Sequence, residues 1–126
     1  MKLKFLWFLL ISLATIPASA QEVIPITRFG AIPNSQTDVM PAVKQALEYC
    51  KDKSDVVISF PEGRYDFWPT RYADKTDSIG FDLQKMNDLT IDGNGSEFIF
   101  HGWMEIAHVD SCSNILFKNF SVDWDR

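Results

Sequence analysis

Between Asp38 and Lys53 the apolar positions fall at helical spacing: Val39, Val43, Ala46, Leu47 and Cys50 stand at i, i+4, i+7, i+8 and i+11 and line one face. Asp38 can cap the amino end, Pro41 is tolerated in a first turn, and Lys51 and Lys53 suit the negative end of the dipole. The pattern predicts one helix, from Val39 to about Lys51. The lead before it, VIPITRFGAIPNSQTD, reads as extended chain. After it the period changes. DVVISF, from Asp55 to Phe60, is a β-branched and aromatic run stopped by the turn Pro61-Glu62-Gly63; RYDFW follows as a second strand, and TRYADKTDS is predicted to be a loop. From Ile79 onward the chain reads as short strands punctuated by Asn, Asp and Gly.

Those strands recur. Leu89 aligns with Ile115, Ile91 with Phe117 and Phe98 with Trp124, each pair 26 positions apart, so DLTI and NILF occupy equivalent places. Short strands and Asn/Gly turns repeating at that length predict a mainly-β fold, a parallel β-helix, in which each winding stacks on the last and none can bury its interior alone. The first winding has an open end with unpaired backbone groups, and the amphipathic helix is placed to cap it. The competing fold is an antiparallel β-sandwich with one helix. Asn94-Gly95 would be a hairpin turn there and is a corner in a coil.

Composition adds compartment and excludes some partners. Lys2 and Lys4 precede an apolar run from Phe5 to Ile16, and Ala18-Ser19-Ala20 supplies small residues for cleavage, so residues 1–20 read as a secretory signal peptide. The run is shorter than the roughly 20 residues of a bilayer span. The mature chain, 21–126, then begins at Gln21 and is expected to be periplasmic or secreted, with no membrane insertion after cleavage. The formal charge is −5, or −7 once Lys2 and Lys4 are removed, which disfavours nucleic acid as a partner. Cys50 and Cys112 have no metal-ligand spacing and are read as small apolar residues; a pairing between them stays open. His101 and His108 are seven apart and isolated in sequence from any acidic cluster of metal-site spacing, so both read as structural or surface residues.

Candidate chemistry lies near the end. DGNGSE, from Asp92 to Glu97, resembles a calcium loop only faintly and reads as a turn, and no metal site is expected. In NFSVDWDR, Phe120, Val122 and Trp124 alternate with Ser121, Asp123 and Asp125. The aromatics therefore face inward, and both carboxylates face outward with Cα atoms about 7 Å apart. Inverting glycosidases hold paired carboxyl groups roughly 6.5–9.5 Å apart. Asp123, Asp125 and Arg126 are accordingly candidate substrate-binding residues, set against the ordinary solvation of an exposed strand. Tyr65, Phe67, Trp68, Phe100, Trp103 and Trp124 supply rings of the kind that stack on sugars, although core packing is the default role of each.

FGAIPNSQTD, the helix AVKQALEYC and VISFPEGRYDFWP together resemble the amino-terminal cap and first coil of the pectate-lyase-like right-handed β-helix proteins. More narrowly, YDFWPTRY, LTIDGNGSEFIFHGWM and NILFKNFSVDWDR resemble the start of glycoside hydrolase family 110, exo-acting α-1,3-galactosidases. The resemblance implies a hydrolase that releases terminal α-galactose from glycans with inversion and without a metal or organic cofactor. It places the catalytic carboxylates in later coils, beyond Arg126. On that reading these residues are the cap and first coils only, truncated at the carboxyl end and inactive alone, with an uncovered upper edge prone to pair with other chains. A pectate-lyase-like or polygalacturonase-like enzyme, and a non-catalytic carbohydrate-binding or structural β-helix, are the alternatives.

Overall fold

The computed structural model describes residues 21–72 and 75–125, so the leader predicted over residues 1–20, and Arg126, lie outside the described residues. In chain order they form β1 (Glu22–Pro25), a 3-10 turn (Ile26–Phe29), α1 (Met40–Cys50), β2 (Val56–Ser59), β3 (Arg64–Phe67), β4 (Thr70–Tyr72), β5 (Lys75–Asp77), β6 (Ile79–Gln84), β7 (Asn87–His101), β8 (Glu105–Asp110) and β9 (Ser113–Asp125). The helix lies within a residue of its predicted bounds. Asp38 accepts the Met40 amide at 3.0 Å, Pro41 sits in the first turn, and the buried stripe contains Val43, Ala46, Leu47 and Cys50. That stripe joins one core with Ile24, Ile58, Leu83 and Leu89. The helix packs on the 3-10 turn and on β6, which pairs with β8. Among the described residues no helix is long and apolar enough to cross a membrane.

The fold is mainly β and its principal sheet is parallel. β1, β2, β7 and β9 pair in that order, and β3 also pairs with β7. Of the lead predicted to be extended, only β1 is a strand; Ile26–Phe29 wind into the 3-10 turn, which Gly30 closes in the left-handed region. Rows of like side chains run across the layers: Val56, Leu89 and Ile115; Ile58, Ile91 and Phe117; Tyr65, Phe98 and Val122; Phe67, Phe100 and Trp124. β6 pairs with β8, and the first part of β7 with β9, at a constant offset of 26, as in Phe81 opposite Ala107 and Leu89 opposite Ile115. The corners repeat with the strands. Lys85 and Ser111, and then Asp88 and Asn114, take left-handed φ of 55–56° at the same offset. Asn114 donates to Asp88 Oδ1 at 2.8 Å, and Ser113 to Asn87 Oδ1 at 2.7 Å, so the polar corners stack as the apolar rows do.

Two further expectations fail. The register shifts between Asp92 and Ser96, so Phe98 lies opposite Val122, and Trp124 opposite Phe100. The cause is the corner Gly93-Asn94-Gly95, which takes two residues more than the corresponding turn at Asn119. Asn94 and Gly95 have φ of 51° and 86°, and the Asn94 amide donates to Ser59 Oγ and the Phe60 carbonyl at 2.8 and 2.9 Å. Gly93 is required there, since a Cβ would meet the Asn119 carbonyl oxygen and Phe120 Cβ at 2.6 Å. Second, the segment predicted as a loop contains two antiparallel strands, β4 and β5, paired Thr70 to Asp77 and Arg71 to Thr76. It stands off the parallel sheet, and Asp77 forms an ion pair with Lys44 of the helix.

Aromatic rings fill the interior. Phe60, Phe67, Phe81, Phe98 and Phe100 are buried, with Phe67 nearly parallel to Phe100 at 4.5 Å and Phe98 stacked on Phe120 at 4.6 Å. Tyr65 belongs to this core, edge-on to Phe60 at 5.1 Å. Burial falls toward β9: Leu89, Ile91 and Phe98 are buried, whereas Ile115, Phe117 and Val122 beside them are partly covered. Cys50 and Cys112 are unpaired. Burial, reinforced by the charge of Glu22, pushes the Cys50 thiol up to about 11, so it is a neutral core group.

Candidate functional site

Strand alternation decides which side chains meet outside. With Tyr65 and Phe67 turned inward, β3 presents Arg64 and Asp66 on its outer face, followed by Trp68. By the same alternation β7 contributes Glu97, Ile99 and His101, and β9 contributes Ser121, Asp123 and Asp125. Registered pairing places Ile99 between Asp66 on one side and Asp123 on the other, and His101 beside Asp125.

Asp66 is the centre of this face, and it is only 1% exposed. Arg64 grips it bidentately, Nε donating to Oδ1 at 3.0 Å and Nη2 to Oδ2 at 2.8 Å. His101 Nε2 lies 2.8 Å from the same Oδ2. Burial pushes the carboxyl pKa up, but the hydrogen bonds from Arg64 and His101, together with the guanidinium charge, outweigh it and hold Asp66 below the ordinary carboxylate value. The Arg64 guanidinium is correspondingly raised, chiefly by its hydrogen bond to Asp66. The Trp68 indole stacks on the His101 imidazole, 4.0 Å between centroids at 7°. Asp38 ties the cluster to the helix, since its Oδ1 accepts the Met40 and Trp68 amides at 3.0 and 3.2 Å.

The outer nitrogen of His101, Nδ1, lies 3.6 Å from Asp125 Oδ2. Asp123 and Asp125 are exposed on one face, as their alternation with Trp124 predicts, and Asp123 Oδ1 accepts the Trp124 amide at 2.8 Å. Both border an open depression of about 620 Å³, lined also by Gly102, Trp103, Met104 and Trp124. Residues of the FHGWM segment and of the VDWD run meet there. Trp103 is 94% exposed; Trp124 leans on Phe100 at 5.6 Å yet is 39% exposed. An exposed indole beside carboxylate acceptors combines an apolar platform with hydrogen-bond acceptors, which is the chemistry that a sugar ring with its hydroxyl groups requires.

Other expectations divide. Tyr65, Phe67 and Phe100 are core rings, whereas Trp68 and Trp103 belong to the outer site. DGNGSE is a corner, as expected. Asp92 accepts the Asn94 amide and the Asn119 side chain, both at 3.0 Å, and these bonds lower its pKa. His108 is exposed, 3.6 Å from Glu105. His101 is not isolated from acidic residues, because the layering sets it between Asp66 and Asp125. Arg64, Asp66 and His101 escaped the sequence reading. Their one signal was the alternation in RYDFW, which turns Arg64, Asp66 and Trp68 to the same side.

No family model matches the chain. It is similar to α-1,3-galactosidase B of Bacteroides thetaiotaomicron, 41% identical over 118 residues that cover 85% of this chain and 19% of that protein. It is 44% identical over 117 residues to α-1,3-galactosidase A of Shewanella woodyi, with the same shares of each chain. α-1,3-Galactosidase B of Phocaeicola vulgatus is 38% identical along 100% of this chain and 24% of its own length. The chain thus spans about a fifth of the length of these curated relatives, and over most of its own length it is homologous to α-1,3-galactosidases.

Proposed function

We propose that the chain is the amino-terminal part of an exported, exo-acting α-1,3-galactosidase of glycoside hydrolase family 110, comprising the cap and first coils of a right-handed parallel β-helix. The observation that carries this reading is the identity of 41–44% to α-1,3-galactosidases along 85% of the chain. The parallel pairing at an offset of 26 and the partly covered row from Ile115 to Val122 support it, since further windings would bury that row. Residues 1–20 direct export to the periplasm or the medium, and the substrate is a glycan ending in α-galactose.

In this reading the catalytic carboxylates lie in later coils, and Asp123, Asp125 and Arg126 contact the glycan beside Trp103. Two assays test it. The chain alone should release no galactose from an α-1,3-linked galactose disaccharide; release would overturn the assignment of catalysis to later coils. In a full-length polypeptide carrying this segment, Asp125→Ala should lower kcat/KM on that disaccharide more than about tenfold, or about 1.4 kcal/mol. A smaller loss removes Asp125 from the site.

A further inference from the structure

The environment of His101 fixes which of its nitrogens carries the proton. Asp66 is buried, gripped by Arg64 from the other side and ionised, so it can only accept. Nε2, 2.8 Å from its Oδ2, must therefore be the N–H. In the neutral imidazole this leaves Nδ1 as an acceptor, and it faces the Asp125 carboxylate, a second acceptor, across 3.6 Å. That gap is too long for a direct hydrogen bond and has no donor of its own. The ring cannot swing away easily, because Trp68 is stacked on one face, and His101 keeps 14% of its side chain exposed.

We propose that His101 Nδ1 and the Asp125 carboxylate form a two-acceptor notch for neighbouring hydroxyl groups of a neutral sugar, with Asp66 as the positioning residue that fixes the imidazole tautomer. This rests on the glycan reading above and deepens it. Two vicinal hydroxyls, each donating over about 2.8 Å, fit two acceptors at this separation. The charged groups on this face are Arg64, Asp66, Glu97, Asp123 and Asp125, with Asp38 bonded to the Trp68 backbone.

The test is a nitrogen-15 NMR titration of the chain with galactose-α-1,3-galactose. The imidazole should show the Nε2–H pattern, and the disaccharide should perturb Nδ1 more than Nε2. His101→Gln keeps an amide donor for Asp66 and loses the outer acceptor. It should bind about fivefold to tenfold more weakly. Should that variant unfold, Asp125→Ala at an exposed position should weaken binding comparably and leave the tautomer unchanged. An Nδ1–H tautomer in the wild type, or undiminished binding in the folded variant, overturns the notch alone. No binding by the wild type overturns the glycan reading as well.

Discussion

Replacing Asp66 by Asn gives the sharpest energetic test of the outer cluster. The carboxylate accepts Arg64 Nε and Nη2 and His101 Nε2 at 2.8–3.0 Å while almost wholly buried. Asn is nearly isosteric, but its amide NH2 would face a donor from Arg64 or His101, and the charge that stabilises both is gone. Hydrogen bonds to charged groups contribute about 1.5–3 kcal/mol, and breaking a buried ion pair costs about 3–5. Arg64 is partly exposed and can turn to water, which favours the lower part of that range, about 3 kcal/mol. For a domain of this size that corresponds to a Tm lower by roughly 15 °C. Urea unfolding at pH 7 measures it.

The sign with pH is fixed as well. The folded carboxyl is held below its ordinary value, so its stabilisation is complete above the unfolded pKa of about 3.9 and is lost as pH falls through the lower folded value. The gap between wild type and Asp66→Asn should persist from pH 7 to 5 and close below about 4. A loss under about 1 kcal/mol at neutral pH, typical of an exposed pair, would refute the reasoning. So would a gap that widens on acidification.

Other substitutions probe the interior and the rim. Phe98→Ala empties a buried site that touches the rings of Phe60, Tyr65, Phe67, Phe81 and Phe120 and should cost about 3–5 kcal/mol in denaturant unfolding. Gly93→Ala sets a methyl against the Asn119 backbone and should cost about 1–3 kcal/mol, with hydrogen exchange accelerated in β9. Trp103→Ala, at an exposed ring, should leave stability within about 0.5 kcal/mol while weakening disaccharide binding. Amino-terminal sequencing of the exported product should begin at Gln21.

What was legible followed from local periodicity. The helix was signalled by its stripe and by Asp38 and Pro41, and the equivalence of DLTI and NILF appears as Leu89 opposite Ile115 and Ile91 opposite Phe117. The Phe98 alignment slipped because a constant repeat cannot show that one corner takes two residues more than the next. The antiparallel pair β4 and β5 was hidden by its charged and polar residues, which resemble a loop until the strands pair. In the candidate site, Asp123 and Asp125 were visible as alternation within one strand. Asp66 and His101 were not, because they are 35 residues apart and meet only through the registered layers. A lone carboxylate between two aromatics carries no mark of burial.

The central claim, parallel layers in which β9 follows the first part of β7 at an offset of 26 residues, is tested most directly by cross-strand nuclear Overhauser contacts in labelled chain. The account predicts contacts of Leu89 with Ile115 and of Ile91 with Phe117, and of Ile58 with Ile91, all ascending in the same direction. Leu89 opposite Phe117 together with Ile91 opposite Ile115, the pattern of antiparallel strands, would contradict it.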